Sequence, residues 1–243
     1  MTVFPYVLEE DHLPRLGLIV LQVDETIEQD FRRLFPPDSV RLHVSRVPSG
    51  AELTPDTIAT METSLPAAAS LLPGPFDVVG YACTSGTTLI GAERVRELVA
   101  GATKTRAVTD PLSAALAHCR ALRLGRIGIV SPYIASVAEP IRAAFEAGGV
   151  AVPDTLSFGE EIEARVARIA PASISEAVRD LARRNQLDGI FLSCTNLRTL
   201  DILGPLTREL GLPVLSSNQC LAWHMAKLAG LPPPLDGQKP STG

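Results

Sequence analysis

Short apolar runs alternate with longer amphipathic stretches along the whole chain. The runs fall at residues 16–21, 40–47, 78–83, 106–109, 127–131, 150–156, 189–194 and 213–216. Between them apolar residues recur at helical spacing: Ile27, Phe31, Leu34 and Phe35, then Ile141, Ala144 and Phe145, then Ile174, Val178 and Leu181. Such spacing lines up one helix face, whereas a short unbroken apolar run reads as a strand buried on both faces. Eight strands alternating with helices predict an α/β protein with parallel sheets. Pro36-Pro37 stops the first helix, since proline cannot donate the next helical hydrogen bond. Pro132, Pro153 and Pro213 are expected at strand edges, where a missing N–H is tolerated.

Two landmarks recur at one offset. Gly17 in Leu-Gly-Leu-Ile-Val and Gly128 in Ile-Gly-Ile-Val are 111 residues apart, and so are Cys83 and Cys194, each at the end of an apolar run. The repeat predicts two similar α/β subdomains. Each has a parallel four-stranded sheet flanked by helices, the two are related by a pseudo-twofold axis, and the active site lies between them. The expected division is 1–110, 111–217, a helix at 218–230 packing back on the first subdomain, and a loosely ordered tail at 231–243.

Composition narrows the function. The 46% hydrophobic content easily supplies a core, and only 5% of residues are aromatic, so Ala, Leu and Val do the packing. The net charge of −5, with no basic stripe, excludes a nucleic-acid partner. No apolar run approaches the ~18 residues of a membrane span. Glu9, Glu10 and Asp11 interrupt the place where a signal peptide needs its apolar stretch, so a cytoplasmic protein is expected. Four cysteines are too few for a disulfide scaffold and are read as thiols.

Cys83 precedes Thr84-Ser85-Gly86, and Cys194 precedes Thr195-Asn196. Both therefore stand at the carboxyl end of a parallel strand, with small polar residues and then a helix expected after them. Open α/β sheets place ligands there. Unpaired N–H groups at a helix start should bind a carboxylate and lower the thiol pKa. Two such thiols facing each other across a cleft would take a proton from one face of a carbon and return one to the other. Alternatively, one would add to a double bond. Cys119 and Cys220 read as packing residues. Cys220 and His224 have the i, i+4 spacing of a metal pair, but no second pair accompanies them, and His12 and His43 have no evident partner. No metal and no cofactor are expected, because nucleotide-binding and nucleophile-elbow motifs are absent.

Ala82-Cys83-Thr84-Ser85-Gly86 and Ser193-Cys194-Thr195-Asn196 resemble the two cysteine motifs of the aspartate/glutamate racemase superfamily, over about residues 15 to 230. The first motif, Cys-Thr-Ser-Gly, is most similar to the maleate isomerase and arylmalonate decarboxylase branch, and within it to racemase-like proteins associated with ectoine breakdown. The resemblance implies a cofactor-independent isomerase or racemase of a small carboxylate, active as a homodimer or higher homo-oligomer. Cys83 and Cys194 would be catalytic. Asp24, Thr84, Ser85, Tyr133, Thr195 and Asn196 would bind substrate. One departure, one match and one choice stay open. Asp24 stands where maleate isomerases have Asn, and either faces the cleft or caps a helix. Tyr133 either contacts substrate or sits on the rim. An arylmalonate-type decarboxylase and a two-lobed ligand-binding module remain alternatives, although decarboxylases of this branch keep only the second cysteine.

Overall fold

A computed structural model describes residues 1–10, 12–52 and 54–234. Its first half runs β1 (Arg15–Leu21), α1 (Ile27–Leu34), β2 (Arg41–Val47), α2 (Pro55–Ser70), β3 (Phe76–Ala82), α3 (Thr84–Ile90), α4 (Ala92–Ala102) and β4 (Thr105–Thr109). After α5 (Pro111–Leu122), the second half runs β5 (Ile127–Tyr133), α6 (Ala135–Ala147), β6 (Thr155–Glu160), α7 (Glu163–Val166), α8 (Pro171–Arg184), β7 (Gly189–Leu192), α9 (Leu200–Leu210) and β8 (Val214–Ser216). The chain then forms α10 (Ser217–Ala229).

The two sheets have the same design. Their strand orders are β2-β1-β3-β4 and β6-β5-β7-β8, and every pairing is parallel. The α/β class with two parallel four-stranded sheets is therefore as the sequence pattern predicts. The helical-spacing residues also behave as expected: Ile27, Phe31 and Leu34 in α1, Ile141 and Phe145 in α6, and Ile174, Val178 and Leu181 in α8 are all buried. Asp110 caps α5 by accepting the Ser113 N–H at 2.8 Å. Helix α10 packs on β3 and α1 of the first half and along α5. The Leu231 N–H closes on the Ala226 carbonyl, and Leu231 with Pro232, Pro233 and Pro234 lies against Leu34 and Phe35. The rest of the expected loose tail, 235–243, lies outside the described residues.

Two expectations need correction. The apolar run at 150–156 is not the strand. Val150 and Val152 are buried, but Ala151 makes only an isolated bridge to Arg126, and β6 begins at Thr155. Residues 150–154 are a core-filling loop, with Pro153 unable to join a ladder, and only Thr155 and Leu156 of the run belong to the edge strand. Pro132 is not at a strand edge but inside β5, where the β5–β6 register shifts between Ser131 and Tyr133. A residue without an N–H sits at the point where the ladder skips.

The glycine landmarks mark close packing. A Cβ on Gly128 would stand 2.5 Å from Leu181 Cδ2, whereas one on Gly17 would meet a Val79 methyl at 3.0 Å. Gly128→Ala should therefore cost about 2 kcal/mol and Gly17→Ala about half that. Urea unfolding measures both, and equal midpoints would contradict the packing argument.

One apolar cluster crosses between the halves. It joins Ile19, Leu65, Tyr81 and Cys83 of the first half to Tyr133, Val137 and Cys194 of the second. Among the described residues no helix is long and apolar enough to cross a membrane.

Candidate active site

The two strand-end cysteines lie in that shared cluster, both free and only 3% exposed. Cys83 follows β3 directly and is the N-cap of α3, its Sγ accepting the Gly86 N–H at 3.1 Å. The Ser85 hydroxyl is 3.7 Å from the same sulfur. Position 86 has to be glycine, since a Cβ there would stand 2.8 Å from the Cys83 sulfur and 2.7 Å from the Tyr81 hydroxyl. Cys-Thr-Ser-Gly is thus a sulfur-holding cap.

Cys194 is built differently. No helix follows it directly, because α9 begins only at Leu200. Its Sγ accepts the Asn196 N–H at 3.2 Å and lies 3.0 Å from the Tyr133 hydroxyl. The turn it belongs to is fastened to other elements. The Cys194 N–H donates to the Ser217 hydroxyl at 3.1 Å, and the Thr195 hydroxyl donates to the Ala82 carbonyl at 3.3 Å. Asn196 holds the halves together: its Oδ1 accepts the Glu25 N–H at 2.9 Å, and its carbonyl accepts the Thr26 hydroxyl at 2.8 Å. Its Nδ2 donates to Glu163 Oε2 at 2.9 Å and to the Glu163 carbonyl at 3.2 Å.

The other expected residues divide by what their polar atoms do. The Thr84 hydroxyl is 2.8 Å from that of Ser217. Thr84, Thr195 and Asn196 are therefore engaged with protein partners, and only Ser85 keeps a hydroxyl whose bond is a long one to sulfur. Tyr133 is not on a rim. It is 4% exposed, and its hydroxyl donates to Glu163 Oε1 at 2.7 Å beside Cys194. Of the two readings left open for Asp24, helix capping is what the structure shows. Its Oδ1 caps α1 by accepting the Thr26 and Ile27 N–H groups at 2.8 and 2.9 Å. Its Oδ2 is buried and makes no hydrogen bond among the described residues. The Thr195 hydroxyl lies close enough to influence this carboxyl, but its bond geometry favours the Ala82 carbonyl.

Three residues of this arrangement escaped the sequence reading. Glu163, 1% exposed, sits in the run Glu160-Glu161-Ile162-Glu163, which reads as a solvated face. Ser217 and Asn218 follow β8 at the start of α10. They obey the strand-end rule that singled out the cysteines, and the polar pair after an apolar run was a usable signal.

The electrostatics reverse one expectation. Helix-start and turn N–H groups do pull the thiols toward ionisation, yet burial outweighs them. The Cys83 thiol is pushed up to about 12, first by burial and further by the charges of Glu163 and Asp24. Cys194 is pushed well above its ordinary value by burial and then by Glu163. Burial also raises Asp24 and Glu163 themselves. Both sulfurs therefore feel the charge of the same two carboxyls, and Tyr133 links one of them, Glu163, to Cys194.

A cavity of about 470 Å³ opens beside Asp24, lined also by Glu25, Arg46, Ala51, Ile162 and Ala164. Arg46 is turned to the backbone, donating to the carbonyls of Leu21, Gln22 and Asp24 at 2.9 to 3.1 Å. The two halves close over this side through the Glu52–Ile162 bridge, the Glu163 N–H on the Ala51 carbonyl at 3.0 Å, and an Arg168–Glu25 ion pair at 2.9 Å. A cavity of about 360 Å³ between β6 and α8, lined by Leu156, Phe158 and Asp180 among others, contains none of these groups.

The remaining cysteines and histidines form no metal set. Cys220 Sγ is 3.6 Å from His118 Nδ1, and His224 Nδ1 is 2.7 Å from the Thr109 hydroxyl, so Cys220 and His224 are not a ligand pair. Among the described residues no group of three His, Cys, Asp or Glu is placed to hold a metal ion. His43 packs edge-on against Phe76 at 5.4 Å, and exposed His12 pairs with Glu10 at 3.5 Å.

Comparison with known proteins fits this geometry. Residues 50–240 match the family model described as arylmalonate decarboxylase. The chain is 29% identical over 227 residues to arylmalonate decarboxylase from Bordetella bronchiseptica, covering 92% of this chain and 93% of that one. It superposes on the maleate isomerase Iso from Pseudomonas putida S16 with a TM-score of 0.85 at 23% identity, over 93% of this chain and 96% of that one. It also matches a cysteine-to-serine mutant of Nocardia farcinica maleate cis–trans isomerase that carries a covalently bound succinylcysteine intermediate. There the TM-score is 0.78 at 25% identity, over 90% of this chain and 94% of that one.

Proposed function

The chain belongs to the arylmalonate decarboxylase family, and from that premise we propose that it is a cofactor-independent isomerase that inverts a stereocentre of a small carboxylate through Cys83 and Cys194. The observation that carries this reading is the pair of buried thiols, each at a strand end and each accepting a backbone N–H. Decarboxylation needs one proton donor. Inversion uses two groups, one thiolate removing the Cα proton while the opposite thiol delivers one to the other face. The proton count balances, since one sulfur gains the proton taken from Cα and the other loses the proton it delivers.

Asp24 and Glu163 bear on the substrate. The succinylcysteine of the Nocardia isomerase is an adduct of a dicarboxylate. In this chain the charges of two buried carboxyls act on both thiols, and a second substrate carboxylate would meet them with like charge. Asp24 Oδ2 instead suits a donor, which favours a 2-amino or 2-hydroxy acid over maleate. Ser85 supplies a hydroxyl to the substrate carboxylate, while Thr84, Thr195 and Asn196 hold the two sulfur-bearing turns in place. Asp24→Asn keeps a helix-capping oxygen but loses the anion. It is expected to raise KM for a 2-amino acid about tenfold or more, the worth of a charge-assisted hydrogen bond. An unchanged KM would remove Asp24 from substrate recognition.

The overall reading is tested by incubating the protein with 2-amino acids, 2-hydroxy acids, maleate and an arylmalonate in deuterium oxide. NMR and chiral chromatography follow the products. Inversion with deuterium at Cα is expected. Fumarate from maleate together with a mass adduct on a cysteine would replace inversion by addition and rotation. Release of carbon dioxide from the malonate would assign decarboxylation.

A further inference from the structure

Glu163 poses a problem for a site that has to generate a thiolate. Its charge opposes the ionisation of both sulfurs. It is nevertheless buried in the site, gripped by two side chains, and linked to only one of the two thiols. The Tyr133 hydroxyl touches Glu163 Oε1 at 2.7 Å on one side and Cys194 Sγ at 3.0 Å on the other. Cys83 has no such link; its sulfur meets the Gly86 N–H and the Ser85 hydroxyl.

A phenol carries one hydrogen and can accept another bond. With Tyr133 donating to Glu163, the Cys194 thiol is left to donate to the Tyr133 oxygen. The chain of bonds then runs in one direction, from sulfur to carboxylate. We propose that Tyr133 and Glu163 form a proton relay that charges Cys194 and leaves Cys83 as the thiol. In the step, the Cys194 S–H bond breaks and its proton passes to the Tyr133 oxygen, while the Tyr133 proton passes to Glu163 Oε1. The products are a Cys194 thiolate and a neutral Glu163 carboxyl, and Tyr133 ends with one proton as it began. No net charge enters the buried site. The repulsion that opposes a thiolate beside a carboxylate vanishes, because the carboxylate is consumed as the thiolate forms.

The surroundings hold the relay in register. Asn196 Nδ2 fixes Glu163 Oε2 at 2.9 Å, and the Asn196 N–H remains on Cys194 Sγ at 3.2 Å to stabilise the thiolate once formed. The same residue therefore aligns both ends. The relay also separates the roles of two otherwise matched cysteines. It rests on the reading of Cys194 as an acid–base group but on no particular substrate.

The test needs no substrate. Iodoacetamide labelling at pH 7, with each cysteine quantified by peptide mass spectrometry, gives the Cys194-to-Cys83 rate ratio. Measurements compare the unaltered protein, Glu163→Gln and Tyr133→Phe. The relay predicts that the ratio falls about tenfold or more in both variants, the equivalent of one pKa unit. A carboxylate that merely repels would give the opposite sign for Glu163→Gln, since removing its charge favours the Cys194 thiolate and raises the ratio. A raised or unchanged ratio in Glu163→Gln overturns the relay. Should that variant lose its fold, Tyr133→Phe decides alone, and an unchanged ratio there overturns it equally. Cys83, whose sulfur has no hydrogen bond to either residue, corrects for access in Tyr133→Phe. In Glu163→Gln the absolute Cys194 rate is read beside the ratio, because the Glu163 charge also acts on Cys83. The relay predicts that this rate falls, and repulsion that it rises. A protein that turns over none of the acids above can still show the ratio change, so failure of the inversion reading and failure of the relay are separate results.

Discussion

Replacing either Cys83 or Cys194 by alanine is expected to lower turnover about a thousandfold or more while the protein remains folded. General acid–base groups contribute about 10²- to 10⁴-fold each, and an inversion run between two sulfurs loses one whole half-step with either of them. The structural cost is small by comparison. Each substitution deletes one sulfur from a cluster whose other members stay packed, and the backbone N–H groups released at Gly86 and Asn196 lie at a polar site. A loss of about 1 kcal/mol is expected, which moves Tm by a few degrees in a chain of this size. Circular dichroism and kcat on the same samples separate the two effects. A variant that retains substantial kcat would show that its sulfur is a packing residue.

Asn196→Ala should produce the largest loss of stability. Asn196 makes three side-chain hydrogen bonds, one accepted from the Glu25 N–H and two donated to Glu163. Truncation strands a buried carboxylate oxygen and a backbone N–H at the junction of the halves. Each stranded buried group costs about 1 to 3 kcal/mol, and more when charged. Together they amount to about 4 kcal/mol and a Tm drop of about 10 °C. Thermal unfolding followed by circular dichroism reads this directly. The contrast with Cys83→Ala is informative, since one variant keeps the fold and loses turnover while the other loosens the junction first. A Tm within about 2 °C of the unaltered protein would show that Asn196 is not a fastener.

The fold was legible because parallel sheets covered on both faces leave unbroken apolar runs, and these are hard to imitate. Gly17 and Gly128 showed the repeat because each lies where a helix or strand side chain presses on the sheet. The run at 150–156 misled because burial and strand formation are separate properties. Val150 and Val152 fill the core from a loop, while Thr155–Glu160, overlapping the run by two residues only, makes the edge strand.

The site was legible in part. Both cysteines followed from strand-end position. The thiol pKa was misjudged because a sequence shows the N–H donors that favour a thiolate but not the burial that opposes it. Thr84, Thr195 and Asn196 follow the two cysteines, and their hydrogen bonds go to the protein, which a sequence does not show. Glu163 was invisible because nothing local buries it. Its position comes from the crossing of the 48–52 and 161–168 segments, where the Glu163 N–H meets the Ala51 carbonyl. A glutamate in an acidic run reads as solvated until the opposite half covers it.

Two sulfurs acting from opposite faces leave an isotopic signature that one sulfur cannot. The decisive measurement is the early time course in deuterium oxide, starting from one enantiomer of the substrate and scoring deuterium at Cα separately in product and in recovered starting material. The account predicts product carrying deuterium while the recovered starting enantiomer still carries hydrogen, because the delivering thiol has exchanged with solvent and the removing thiol has not yet done so. Deuterium appearing equally in both enantiomers from the outset would mean a single base serving both faces, and would contradict the paired action of Cys83 and Cys194.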